Sequence, residues 1–65
     1  MTTAANNFKA FVARLNIEGR FFHMDDDITD FGDLFTAKEQ VEFAAIIKAA
    51  RQALTADEFD EIAYT

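Results

Sequence analysis

The sequence predicts a mainly α fold, a small bundle of three to four helices around one long helix, with room for a minor two-stranded β pairing. Three observations predict it. Apolar residues recur at helical spacing in successive stretches, two Thr-x-x-Glu capping boxes stand in the second half, and the only breakers in 65 residues are Gly19 and Gly32, with no proline.

The first helix is expected over residues 4–15. Phe8, Phe11, Val12 and Leu15 follow the i, i+3, i+4, i+7 pattern of one apolar face. Thr3 is the expected cap of its start and Asn16 the expected helper at its end. Ile17-Glu18-Gly19-Arg20-Phe21-Phe22-His23-Met24 then reads as a turn and a short extended segment. The partner for a strand there is Ile62-Ala63-Tyr64-Thr65, the only other β-leaning stretch.

A short helix is expected over 28–34, capped by Asp27, because Ile28, Phe31, Leu34 and Phe35 step by three and four. Thr36-Ala37-Lys38-Glu39 is a capping box that opens the long helix, 37–54, with an apolar face of Phe43, Ile46, Ile47, Ala50 and Leu54. Thr55-Ala56-Asp57-Glu58 repeats the device and starts a short helix bearing Phe59 and Ile62. The corner between them is not a DNA-reading motif, since Asp57, Glu58, Asp60 and Glu61 stand on its second helix with no base.

A chain of 65 residues has room for one domain, 1–65, with one core and net stability on the order of 3–5 kcal/mol. Apolar residues make up 51% of it and eight are phenylalanine, too many for a disordered chain despite the net charge of -6. Phe8, Phe11, Phe43 and Phe59 are core by their spacing. Phe21, Phe22, Phe31 and Phe35 crowd the irregular middle. The expectation is that all eight pack inside, against the alternative that one or two of the middle four stay exposed as an anchor for a partner.

Cysteine is absent, which favours a reducing compartment for a domain this small. No basic region precedes an apolar run at the N-terminus, and the apolar runs are far short of the roughly 20 residues that span a bilayer. The expected setting is cytoplasmic, within a bacterial host cell. With 12 acidic against 6 basic side chains, nucleic acid and anionic membrane are disfavoured as direct ligands and a basic protein surface is favoured.

Catalysis is not expected. The sequence has neither serine nor cysteine, and His23 is the only histidine, so a triad would have to use it. His23 lies between Phe22 and Met24, where a packed or half-exposed structural histidine is the plainer reading; the distant alternative is an enzyme pairing it with a nearby aspartate. Paired carboxylates could do acid–base work only with one desolvated in a cleft, for which so short a chain has little volume. No cofactor or metal is expected either. A calcium loop read from Asp27 puts Gly32 at the sixth position but Phe31 at the fifth and Lys38 at the twelfth. Read from Asp25 it puts Asp30 where glycine belongs and Thr36 at the twelfth, and neither register works.

The charge arrangement stands out. Nine of the twelve acids lie in two blocks, Asp25, Asp26, Asp27, Asp30 and Asp33, then Asp57, Glu58, Asp60 and Glu61. Carboxylates at helical spacing sit about 5–6 Å apart. Such a row can stand in for phosphates on a lysine- and arginine-rich groove. The plain alternative is a solvated surface, with acids at helix starts favoured by the macrodipole alone.

In length, lack of cysteine and the acid blocks Asp25-Asp26-Asp27 and Asp57-Glu58-Phe59-Asp60-Glu61, the chain resembles the small acidic anti-CRISPR proteins of phages and mobile elements. These share no common motif, so the resemblance assigns no residue. It implies binding to a CRISPR effector, such as a multi-subunit type I complex, and blockage of its DNA channel; other members block recruitment or nuclease action instead. The expected partner is thus a basic nucleic-acid-binding protein or complex of a bacterial host, met by the nine acids. The rival expectation is a structural or regulatory interaction module, or a homodimer, that uses exposed phenylalanines and the long helix.

Overall fold

Every helix of this chain starts at a side chain that occupies a free backbone N–H. The computed structural model describes residues 2–64. In it, α1 spans Thr3–Ile17 and begins at Thr2, whose hydroxyl accepts from the Ala5 N–H at 3.2 Å. The cap is therefore Thr2, one residue before Thr3. α2 spans Ala37–Ala53 and α3 spans Ala56–Ala63, and both capping boxes are formed. In each box the threonine N–H donates to a glutamate Oε1 at 2.9 Å and the glutamate N–H donates back to the threonine hydroxyl at 3.2 Å.

α1 runs past Asn16 and is stopped by Gly19. The Gly19 N–H donates to the Asn16 carbonyl at 3.0 Å and the Arg20 N–H to the Leu15 carbonyl at 2.9 Å, a Schellman closure. That closure needs a left-handed residue, and Gly19 has φ +74°. The expected helix over 28–34 is shorter and tighter, a 3-10 turn at Ile28–Phe31. Asp27 and Asp30 cap it reciprocally, with the Asp27 N–H donating to Asp30 Oδ2 at 2.9 Å and the Ile28 N–H to Asp27 Oδ1 at 2.8 Å.

Among the described residues there is no strand. Ile62 and Ala63 belong to α3, so their backbone groups are committed to the helix, while Thr65 lies outside the described residues. The two segments expected to pair do meet, but through side chains. The Met24 N–H donates to the Tyr64 hydroxyl at 3.3 Å, and the His23 ring stands edge-on to Tyr64 with centroids 5.9 Å apart.

The core is organised by α1 more than by the longer α2. Ala5, Phe8, Phe11, Val12 and Leu15 are all buried on α1, whereas α2 buries Ile47 and Ala50 and leaves Phe43 and Ile46 half-buried. Seven of the eight phenylalanines form one connected ring network. Phe8 stacks on Phe59 at 4.4 Å, Phe22 stands edge-on to Phe8 and Phe11, Phe31 extends it from Phe22, and Phe35 and Phe43 extend it from Phe11. The eighth, Phe21, is 62% exposed, so the expectation that all eight pack inside is overturned in favour of the alternative. Adjacent residues in an extended segment point to opposite faces, and burying Phe22 turns Phe21 outward.

Arginines cover the rim of this network. Arg14 lies over the Phe35 ring, Arg20 over Phe31, and Arg51 over both Phe22 and Phe59, at 5.3 to 5.8 Å from the centroids.

Phe8→Ala is expected to remove about 3–5 kcal/mol, enough to unfold a chain of this size at 25 °C. Phe21→Ala should change stability by no more than about 0.5 kcal/mol. Urea denaturation followed by circular dichroism checks the contrast, and similar midpoints for the two variants would contradict the core assignment.

Candidate functional site

The nine acids divide into those that hold the backbone and those that face solvent freely. Asp26 Oδ2 accepts from the His23 N–H at 2.9 Å and lies 3.2 Å from His23 Nδ1, closing the loop ahead of the 3-10 turn. Asp27 and Asp30 form the reciprocal cap, and Asp33 Oδ2 accepts from Arg20 Nη1 at 2.7 Å. Glu58 closes the α3 capping box. The carboxylates of Asp25, Asp57 and Glu61 are exposed and make no polar contact among the described residues. Asp60 is half-buried, and its Oδ1 is shut off from solvent with no donor among the described residues.

His23 sits on the surface with its side chain 64% exposed, and Asp26 is the aspartate beside it. The contact is a loop closure, because the same carboxylate oxygen takes the His23 backbone N–H.

Hydrogen bonds shift three carboxyls. The Arg20 guanidinium holds Asp33 below the ordinary carboxylate value. Glu39 is lowered chiefly by the Thr36 backbone N–H, and Glu58 by that of Thr55. All three stay ionised to lower pH than an ordinary carboxyl, so the capping glutamates also contribute negative field at the surface.

One contact ties the first block's loop to the end of α2. Arg51, in the last turn of α2, donates through Nη2 to the carbonyls of Met24 at 2.9 Å and Asp26 at 2.7 Å. This draws the 23–26 loop against the corner between α2 and α3. The result is an open cleft of about 220 Å³ lined by Met24, Arg51, Leu54, Thr55, Ala56 and Phe59. The first block follows Met24 in the chain and the second follows Ala56, although no acid is itself a lining residue. Farther along, Asp33 is held by Arg20 and Glu61 lies on α3. The sequence offered no sign of the cleft, because it depends on a lone arginine finding two carbonyls some 25 residues back in the chain.

A second depression, of about 310 Å³, lies between α1 and α3 and is lined by Lys9, Val12, Ala13, Asn16 and Ile62. No acid of either block lines it. Among the described residues no helix is long and apolar enough to cross a membrane, and no group of three or more His, Cys, Asp or Glu is placed to hold a metal.

The lowered carboxyls have a consequence for pH. A carboxyl depressed in the folded state stabilises the fold above its unfolded pKa, and that stability is lost as pH falls through the folded value. Melting temperature should therefore drop below about pH 4.5, the ordinary value for Glu39 and Glu58, with Asp33 contributing from 3.8 downward. Relief of repulsion among the acids acts in the opposite direction. In a Glu39→Gln, Glu58→Gln variant the caps persist without the charge, and the acid drop should shrink. An unchanged acid drop would show that the caps are not its source.

No protein-family model matches this chain, and neither a curated protein nor a solved structure is similar to it.

Proposed function

We propose that this protein is a non-catalytic inhibitory binding protein whose acidic surface occupies a basic, nucleic-acid-binding surface of a bacterial host complex, with a type I CRISPR effector as the model partner. The observation that supports it most is the placement of charge. No charged side chain is buried, Asp25, Asp57 and Glu61 are uncompensated, and all three arginines lie over phenylalanine rings. Arg20 offsets Asp33, while Arg51 is bound to carbonyl oxygens. The surface therefore keeps an excess of negative charge, as a phosphate-like competitor requires.

Exposed Phe21 favours a second reading, an apolar interaction module or homodimer. With Phe21 62% and Ile17 80% exposed, two large apolar side chains flank the turn after α1. Phe22 is fully buried and belongs to the core, not to this contact surface.

The test is capture of partners from nuclease-treated bacterial lysate, elution along a salt gradient, and competition of the eluted complex with DNA. The proposal expects a nucleic-acid-binding complex released by moderate salt and displaced by DNA. Asp25→Asn, Asp57→Asn and Glu61→Gln together leave every cap in place and should weaken that binding by roughly tenfold or more, with a shallower salt dependence. Retention that ignores salt and is lost in Phe21→Ala would replace this proposal with the apolar module.

A further inference from the structure

The cleft has mostly apolar walls, and acidic residues follow two of its lining residues, Met24 and Ala56, in the chain. Met24, Leu54, Ala56 and Phe59 supply the walls, and methionine adapts its shape to an incoming group. A dry cavity of about 150 Å³ accommodates benzene, so an open cleft of about 220 Å³ has room for one leucine-sized or aromatic side chain. Asp25 and Asp26 follow Met24 directly, and Asp57 and Glu58 follow Ala56, at about 3.8 Å of Cα spacing per residue. Glu58 Oε1 takes the N–H of the lining residue Thr55 at 2.9 Å, and the Asp26 carbonyl takes Arg51 Nη2 at 2.7 Å. These four acidic residues stand within two positions of the lining against one guanidinium. That guanidinium, Arg51, is engaged by the Met24 and Asp26 carbonyls and lies over Phe22 and Phe59, so it forms part of the wall.

From this juxtaposition we infer that the cleft is a docking site for a protein segment that carries one apolar anchor side chain between lysines or arginines. The inference deepens the acidic-docking reading and rests on it. The anchor fills the cleft while its cationic neighbours reach Asp25 on the loop side and Asp57 on the α3 side. Charge complementarity selects the occupant: an anionic or neutral segment with the same anchor meets carboxylates at the mouth without compensation. Coulomb attraction alone lacks register along a basic surface, whereas one seated side chain fixes where the acids come to rest.

The test uses short synthetic lysine-rich helices with a single central leucine, and the same peptide with that leucine replaced by alanine. Binding is followed by amide chemical shifts of the full chain. The leucine peptide should move the signals of Met24, Ala56 and Phe59 and bind roughly tenfold more tightly than the alanine peptide. Ala56→Leu, at an exposed first position of α3, fills the cleft with a good helix former and should abolish that difference while melting like the parent. Equal binding of the two peptides, or an Ala56→Leu variant that still prefers leucine, overturns the inference and leaves the acidic-docking reading standing. A leucine peptide flanked by serines that binds as well as the lysine one overturns the cationic occupant. Failure of every lysine-rich peptide to bind removes both the inference and the reading beneath it.

Discussion

Phe8 stacks on Phe59 at 4.4 Å, and Phe22 stands edge-on to both, so one ring of α1 joins the last helix to the irregular segment in the middle of the chain. A domain of this size buries only about 60% of the surface of its unfolded chain. Few positions are fully enclosed, and each has to remove much apolar area from water. Phenylalanine does so with little conformational freedom to lose. The seven-ring network therefore acts as the framework to which the helices and the 20–35 segment are attached.

The same rings determine where the positive charge goes. A guanidinium lies flat over an aromatic face and keeps its edge available for hydrogen bonds. Arg20 covers Phe31 and uses its edge for Asp33 and the Asp30 carbonyl. Arg51 covers Phe22 and Phe59 and uses its edge for the Met24 and Asp26 carbonyls. Both tie loop to helix where the chain has neither proline nor disulfide to stiffen it. Negative charge in excess at the surface is in part a by-product of this arrangement, since Arg51 spends its charge on carbonyl oxygens and not on an acid.

Five of the nine acids also serve the fold, and this does not remove them from the surface. A carboxylate that accepts a backbone N–H at a helix start remains ionised and exposed. Asp27, Asp30 and Glu58 thus act twice, once as caps and once as charge. Asp25, Asp57 and Glu61 make no such bond, although Asp57 stands in the first turn of α3, where the macrodipole favours an acid.

Local rules were enough for much of this. Thr36 with Glu39 and Thr55 with Glu58 marked two helix starts, because a capping box is complete within four residues of chain. The periodic apolar face of α1 and the break at Gly19 were legible for the same reason. Errors of a single residue, such as Thr3 for Thr2, arise because either threonine offers the same hydroxyl. The tertiary structure decided whatever needed partners distant in sequence. Whether Phe21 or Phe22 turns inward depends on the space left by Phe8, Phe11 and Phe59. Tyr64 meets the 23–24 segment by a side chain, since capping of α3 had already committed its backbone. The cleft beside the acid blocks exists only because Arg51 draws the Met24 and Asp26 carbonyls to the end of α2. No periodicity announces a contact of that kind, in which one long side chain seeks two oxygens that any residue would present.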